Sequence, residues 1–511
     1  MSGRFLVNAR AMWLGIGAAI SALVVNLAAT QHGLGFSPDS ASYLSAGLNL
    51  AGGQGLVTYS GDPLTIFPPG VSIVVAAGRV VGLDPIVWMR VFNSICIGVT
   101  VLLAHVVAKR YLQSRLLLTT TTFYIAWSLP LATVGQMLWS EPPFLAASTA
   151  FIAYIDTIRD KNLTTRRTCV LASLASTAFL FRYSGIALIP LGAIIVARYA
   201  RPTRRIERCR LALRFAVVAS VVPVLLMLRN LSADSTLMGA RSPSADSIIS
   251  SLHMVASTIG RWATFEASET VAPNRLGVVI VSVVLVAAIW HSIVAPQSRV
   301  APLAIYAVGY LASVVLAQVS TALDVIGSRL LSPLFVPFVL ILSVQFSNVV
   351  RSRGVGWRGF RTVIAVTAAG SLLVASLSSL VDLSVRSSRH GIGFSTDGWR
   401  RSSLAHAAAR LPSDSLIYSN QPGGLWVTVR REPILVAPER TAWRSDALKP
   451  ISPGFLRDAT CSQTYLAWFY DATSNFYEPE ELRRPAKLEL VSEHSDGMLY
   501  RSSGQPSATG C

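Results

Sequence analysis

The sequence predicts a polytopic α-helical membrane protein with a C-terminal extracytoplasmic α/β domain. Three observations lead there. Apolar runs near the roughly 20 residues that a helix needs to cross a bilayer recur from residue 12 to about residue 381 and then stop. The composition, 52% hydrophobic and 14% charged with a mean hydropathy of +0.51, is too apolar for an ordinary soluble globule. The cationic residues behind the formal net charge of +18 punctuate the apolar runs instead of gathering on one face or tail. That is how cytoplasmic loops are marked, and it argues against nucleic acid as a partner.

Charge then orders the topology. The clusters Arg4/Arg10, Lys109/Arg110/Arg115, Arg159 to Arg167, Arg198 to Arg210, Arg299 and Arg351 to Arg361 are assigned to the cytoplasm. Asp39, Asp62, Asp84, Glu141, Asp234, Asp246, Glu266, Glu269, Asp324 and Asp382 fall on the opposite side. About eleven helices follow: Met12 to Ala29, Pro85 to Ala108, Leu116 to Val134, Pro143 to Ile158, Cys169 to Phe181, Ser184 to Val196, Leu211 to Leu228, Leu276 to Trp290, Ala301 to Val319, Leu330 to Phe346 and Thr362 to Val381.

Residues 1–384 form the membrane part and residues 385–511 the outer domain. The run Ile66 to Val81 is short, opens with Phe67-Pro68-Pro69-Gly70 and carries Arg79, so it reads as an interfacial piece of a first external loop over residues 30–84. Cys169 to Val196 has basic ends on both sides and reads as a hairpin with Arg182-Tyr183 recessed at its tip. In a second external loop, residues 230–275, Ile248, Leu252, Val255, Ile259 and Trp262 recur at helical spacing; that face lies either in lipid or on the protein. The tail offers a helical piece, Trp399 to Arg410, and strand-like runs at Leu416 to Ser419, Trp426 to Val429, Ile434 to Ala437, Tyr465 to Tyr470, Leu488 to Ser492 and Met498 to Arg501. The N-terminal run reads as a retained helix. Cys461 and Cys511 in the tail are either a pair or two free thiols. Gly354-Val355-Gly356-Trp357-Arg358-Gly359 fits a dinucleotide-binding pattern but follows no strand, and is set aside.

Charged side chains near membrane depth are costly unless paired or in a wet cavity, so they are functional candidates. Two acids stand out: Asp39, in Phe36-Ser37-Pro38-Asp39-Ser40-Ala41-Ser42-Tyr43 just after the first helix, and Glu141 in Trp139-Ser140-Glu141-Pro142-Pro143. Four arginines accompany them, Arg182, Arg229, Arg241 and Arg329. A carboxylate within reach of a hydroxyl can act as a general base, and a guanidinium fork matches a phosphate. The same residues admit plainer readings, with Ser37 to Ser40 and Glu141 as helix caps and the arginines as external anchors. Tyr43, Tyr183 and His253 are expected to line the acceptor side of the cavity. No His/Cys/Asp cluster has metal-ligand spacing, so no metal residue is assigned.

An ordered set of motifs resembles the GT-C superfamily of integral-membrane glycosyltransferases, which includes protein O-mannosyltransferases and aminoarabinose transferases. The set is Pro38 to Leu44, Phe67-Pro68-Pro69-Gly70, Ser140 to Phe144, Phe181-Arg182-Tyr183-Ser184-Gly185 and Ser328 to Pro333, spread over residues 1 to about 380. The resemblance implies inverting transfer of a sugar from a polyprenyl-phosphate donor to a hydroxyl of a glycan, lipid or protein acceptor at the outer face of the cytoplasmic membrane. It implies Asp39 as the base, Glu141 as a second acid, and Arg182 and Arg329 on the donor phosphate, with Arg229 and Arg241 as further phosphate candidates. The family often has two adjacent acids in the first loop, whereas Ser40 follows Asp39 here, which leaves a divalent cation with little support. Richness in Ala, Val and Arg favours mannose or arabinose on cell-envelope glycans. A lipid or glycolipid transporter and a non-catalytic envelope scaffold are the competing classes; the first would more often show inverted repeats.

Overall fold

A computed structural model describes residues 2–158, 163–199, 204–264, 275–295, 297–351, 358–441, 447–470 and 475–502. Fifteen helices come first: α1 (Ser2–Ala29), α2 (Pro38–Ala51), α3 (Gly70–Val80), α4 (Pro85–Tyr111), α5 (Arg115–Ala126), α6 (Leu129–Gly135), α7 (Glu141–Ile158), α8 (Thr165–Phe181), α9 (Leu188–Tyr199), α10 (Arg205–Asp234), α11 (Ile248–Thr264), α12 (Arg275–Ile289), α13 (Ala301–Ser320), α14 (Ser328–Arg351) and α15 (Arg358–His390). The tail alternates short helices and strands: α16 (Asp397–Arg400), α17 (Ser403–Ala409), β1 (Leu416–Ser419), α18 (Pro422–Val429), β2 (Ile434–Val436), α19 (Pro453–Cys461), β3 (Thr464–Phe469), α20 (Pro479–Arg483), β4 (Leu488–His494) and β5 (Gly497–Ser502).

Among the described residues, eight helical segments are long and apolar enough to cross a membrane. The other three expected crossings are the shorter helices α7, α8 and α9. Local chemistry sets several ends. Asp84 caps α4 by accepting from the amides of Ile86 and Val87, and Lys109 and Arg110 sit in its last turn, against the negative end of the helix dipole. The expected crossing Leu116 to Val134 is two helices, because Pro130 at the start of α6 cannot donate a backbone hydrogen bond and the chain turns at Trp127-Ser128. A 3₁₀ turn, Tyr183–Ala187, breaks the α8–α9 hairpin at the expected tip.

One apolar core runs through the helices and includes Ile97, Phe151, Ala172, Phe215, Tyr310 and Phe335. The second half of α11 belongs to it. Val255, Ile259 and Trp262 are buried there, Trp262 meets Phe335 edge-on at 5.3 Å, and Thr258 donates to the Ile326 carbonyl at 2.7 Å. The amphipathic helix therefore packs on protein along most of its apolar stripe, while Ile248 and Leu252 in its first turns stay exposed.

The tail folds as a five-stranded sheet in the order β2-β1-β3-β5-β4, parallel from β2 to β3 and antiparallel beyond. Three of the expected strand-like runs in the tail open as strands at the expected residues, and those expected from Tyr465 and Met498 open one residue earlier, at Thr464 and Gly497. Trp426 to Val429 is instead the end of α18. A short apolar run does not distinguish a strand from a buried helix, and Pro422 in the first turn favours the helix. Trp399 to Arg410 is likewise split into α16 and α17, with Ser402 capping the second by accepting from Ala405 N. Cys461 is in a disulfide, and Cys511, the partner considered for it, lies outside the described residues.

A second core joins the tail to the 30–84 loop. Phe36, Tyr43 and Tyr59 pack with Leu425, Trp426 and Phe469, and the Tyr59 and Trp426 rings stack at 5.7 Å. Main-chain bonds stitch the same seam: Phe394 N to Phe36 O at 2.9 Å and Ile434 N to Tyr59 O at 3.2 Å. The start of α2, which carries Asp39, is thus held between the bundle and the tail.

Candidate active site

The site forms where four distant segments meet. Gly35 pairs with the link between α6 and α7, its amide bonding Gln136 O at 2.8 Å and its carbonyl accepting from Leu138 N at 2.9 Å. A Cβ at Gly35 would lie 2.3 Å from Met137 Sδ and 2.8 Å from Ile392 Cβ, so a larger residue would force its neighbours to shift. The contact brings the first turn of α2 beside the first turn of α7.

Ser37 and Ser40 close a reciprocal capping box at the start of α2, with the Ser37 amide donating to Ser40 Oγ at 3.0 Å. The helix-cap reading of the motif therefore holds. The serines do the capping, and the Asp39 carboxylate, 20% exposed, turns to Arg329. Trp139 donates its indole N–H to Ser37 Oγ at 2.8 Å.

Glu141 opens α7 with its side chain fully buried. Its Oε1 accepts from Arg182 and, at 2.6 Å, from Arg329 Nε. Arg182 stands at the break after α8 in extended conformation, with Nη1 3.4 Å from Ser140 Oγ. Arg329, the second residue of α14, donates to Asp39 through Nη2, to Glu141 through Nε and to Asp324 through Nη1 at 3.4 Å, and its guanidinium lies 4.5 Å above the Trp139 ring. A buried carboxylate is stable only with such compensation, and Glu141 receives two guanidinium groups. Tyr43 is buried beside the cluster, its hydroxyl donating to Ser140 Oγ at 3.4 Å and its ring 5.0 Å from Phe67. Burial pushes the Tyr43 phenol up, and the nearby Asp39 carboxylate adds to that. The Tyr43 hydroxyl is a donor, not a base.

Asp39, Glu141, Arg182, Arg329 and Tyr43 are therefore brought together. Of the other expected residues, Arg241 lies within electrostatic reach of Asp39 and Tyr43, but its hydrogen bond and those of Arg229 and Tyr183 go to main-chain carbonyls. Arg229 donates to the carbonyls of Leu64, at 2.5 Å, and Leu56, at 3.3 Å, and Arg241 to that of Ile66 at 2.9 Å. Tyr183 donates to Thr65 O at 2.6 Å. His253 is exposed on α11 and takes no part in these contacts among the described residues. Nor, among the described residues, does any group of three or more His, Cys, Asp or Glu form a metal-binding set. Asp324 and Trp139 are site neighbours to which the sequence assigned no role. They stand in or beside quoted motifs, but no spacing rule predicts a ring under a guanidinium almost two hundred residues away.

No protein-family model and no curated protein matches the sequence. Solved structures do match. ArnT from Cupriavidus metallidurans bound to undecaprenyl phosphate aligns with a TM-score of 0.59 at 14% identity, over 97% of this chain and 99% of that one. Arabinofuranosyltransferase AftD from Mycobacteria aligns with a TM-score of 0.52 at 15% identity, over 97% of this chain and 40% of that one. With its ordered motifs and its helices arranged as in these proteins, the chain is a multi-pass membrane protein with the fold of the GT-C glycosyltransferases.

Proposed function

We propose that the protein is an inverting glycosyltransferase that moves a sugar from a polyprenyl-phosphate donor to an acceptor hydroxyl at the outer face of the cytoplasmic membrane, in the assembly of cell-envelope glycan or glycolipid. The observation that carries the reading is the convergence of Asp39, Glu141, Arg182 and Arg329 from four separate segments. One neighbour supports the donor class, since ArnT is bound to undecaprenyl phosphate, and another supports sugar transfer by its name, the arabinofuranosyltransferase AftD. Residues 1–384 supply the chemistry, and residues 385–511 face the acceptor.

Asp39 is the general base. The acceptor oxygen attacks the anomeric carbon from the face opposite the phosphate, and its proton passes to Asp39. The bond from that carbon to the phosphate oxygen breaks, and the polyprenyl phosphate leaves with the bonding pair. Arg329 and Arg182 hold the charge that develops on it. Asp39 and Glu141 pair with these guanidinium groups. A phosphate entering beside Arg329 competes with Asp39 for the Nη2 donor, which frees Asp39 as a base in the step that places the donor. Glu141 keeps both guanidinium groups aimed at one point.

The test is sugar transfer by the purified protein from a panel of radiolabelled polyprenyl-phosphate sugars to membrane-extracted acceptors. Transfer from one donor establishes the class and names the sugar. If no donor reacts while the protein moves labelled lipid between vesicle leaflets, the proposal falls and the transporter class takes its place.

A further inference from the structure

A second polar cluster lies beside the site and grips the 30–84 loop. Three consecutive carbonyls of that loop each receive a donor from elsewhere in the chain. Leu64 O is bound by Arg229 at the end of α10, Thr65 O by Tyr183 in the α8–α9 hairpin, and Ile66 O by Arg241 in the segment after α10. The Thr65 hydroxyl donates to Asp234, whose other oxygen accepts from Thr236 N at 2.9 Å and Thr236 Oγ1 at 2.7 Å. Asn230 ties the two sides of the cluster, donating to the Tyr183 hydroxyl at 2.8 Å and to Leu237 O at 2.9 Å. Gly239, at φ +79°, lets the chain pass so close that a Cβ there would fall 2.4 Å from Ile66 Cα.

We infer that Arg229, Tyr183 and Arg241 are positioning residues, a clasp that fixes the backbone of residues 64–66 and through it sets Phe67 against Tyr43 in the wall of the site. A peptide carbonyl held by a guanidinium is a fixed partner, since the main chain has no second position that would satisfy it as well. The segment sits at the point of leverage. Phe67 follows it directly and lies 5.0 Å from the Tyr43 ring, whose hydroxyl donates to Ser140 beside Glu141. Asp234 balances the charge the clasp gathers, lying within electrostatic reach of Arg229. The consequence for transfer rests on the glycosyltransferase reading; the effect on the loop does not.

The experiment uses the full chain in detergent with Tyr183→Phe, Arg241→Gln and Arg229→Lys. Hydrogen exchange is followed in residues 56–66, where the Leu64 amide is bonded to Leu56 O at 2.9 Å. The clasp predicts faster exchange in this segment in each variant, by about tenfold for Tyr183→Phe and Arg229→Lys, which lose a part-buried bond from a locally opening unit, and by a smaller factor for Arg241→Gln, whose bond is exposed. It also predicts a fall in kcat larger than the change in donor KM. Exchange at the wild-type rate in correctly folded Tyr183→Phe and Arg241→Gln overturns the inference, and a donor KM that rises while exchange stays fixed assigns these arginines to the phosphate instead. If the wild type transfers no sugar, the glycosyltransferase reading fails while the exchange comparison still decides the clasp.

Discussion

Two pairs of arginines, alike in sequence context, meet different partners. Arg182 and Arg329 face carboxylates, Glu141 and Asp39, and Arg329 has a ring face beneath it. Arg229 and Arg241 face main-chain carbonyls. A carboxylate on a rotatable side chain can yield its guanidinium to an incoming phosphate. A carbonyl in a held loop cannot, because its own bond would be left unmade. The atom type opposite an arginine thus separates a cation available to a ligand from one that serves as a fastener.

The largest expected break in this comparison is Arg329→Lys. One ammonium cannot reproduce the fork that reaches Asp39, Glu141 and Asp324 together, so kcat/KM should fall about 10²- to 10³-fold, measured with the donor that the panel identifies. Arg241→Lys should cost far less, since a single donor to Ile66 O is retained. Glu141→Gln sharpens the same contrast through stability. It removes the buried carboxylate between two guanidinium groups and should lower unfolding stability by about 3–5 kcal/mol, read as a fall in Tm in detergent.

Packing inside the tail gives a smaller effect. A Cβ at Gly424 would lie 2.5 Å from the Trp399 ring, so Gly424→Ala should destabilise the tail by about 1–3 kcal/mol, seen as faster exchange in α18. The smallest is a pH effect far from both arginine pairs. Burial opposes ionisation of Asp496, but bonds from the Ser402 and Ser403 hydroxyls and the Leu404 amide prevail and hold its carboxyl below the usual range. A depressed folded pKa contributes stability above the unfolded value, about 3.9, and loses it as pH falls through the folded one. The Tm gap between wild type and Asp496→Asn should be present at pH 5 and above and should close below about pH 3.9.

What the sequence made legible follows the range of the interactions. Helices such as α4 and α14 are local, written in long, predominantly apolar runs, and the α8–α9 hairpin was legible from the basic residues at both its ends. Strands β1, β2, β4 and β5 showed because β-branched and apolar residues cluster between turn residues. The Trp426 run escaped that rule, as its helix depends on packing against the distant 30–84 loop. Asp39, Glu141, Arg182, Arg329 and Tyr43 were legible as candidates, but the contacts among them were not. Nothing near Asp39 indicates that its partner is Arg329, 290 positions away, or that Ser37 and Ser40 would relieve it of capping. The same limit hid the roles of Arg229 and Arg241, because main-chain carbonyls leave no mark in a sequence.

The central claim is that Asp39 takes the acceptor proton while Arg182 and Arg329 hold the phosphate. The most direct measurement is single-turnover transfer by Asp39→Asn from a bound polyprenyl-phosphate sugar, with donor binding measured on the same preparation. The account predicts donor binding close to wild type and transfer slower by about 10²- to 10⁴-fold, the usual contribution of a general base. Transfer at the wild-type rate from a fully bound donor would contradict it.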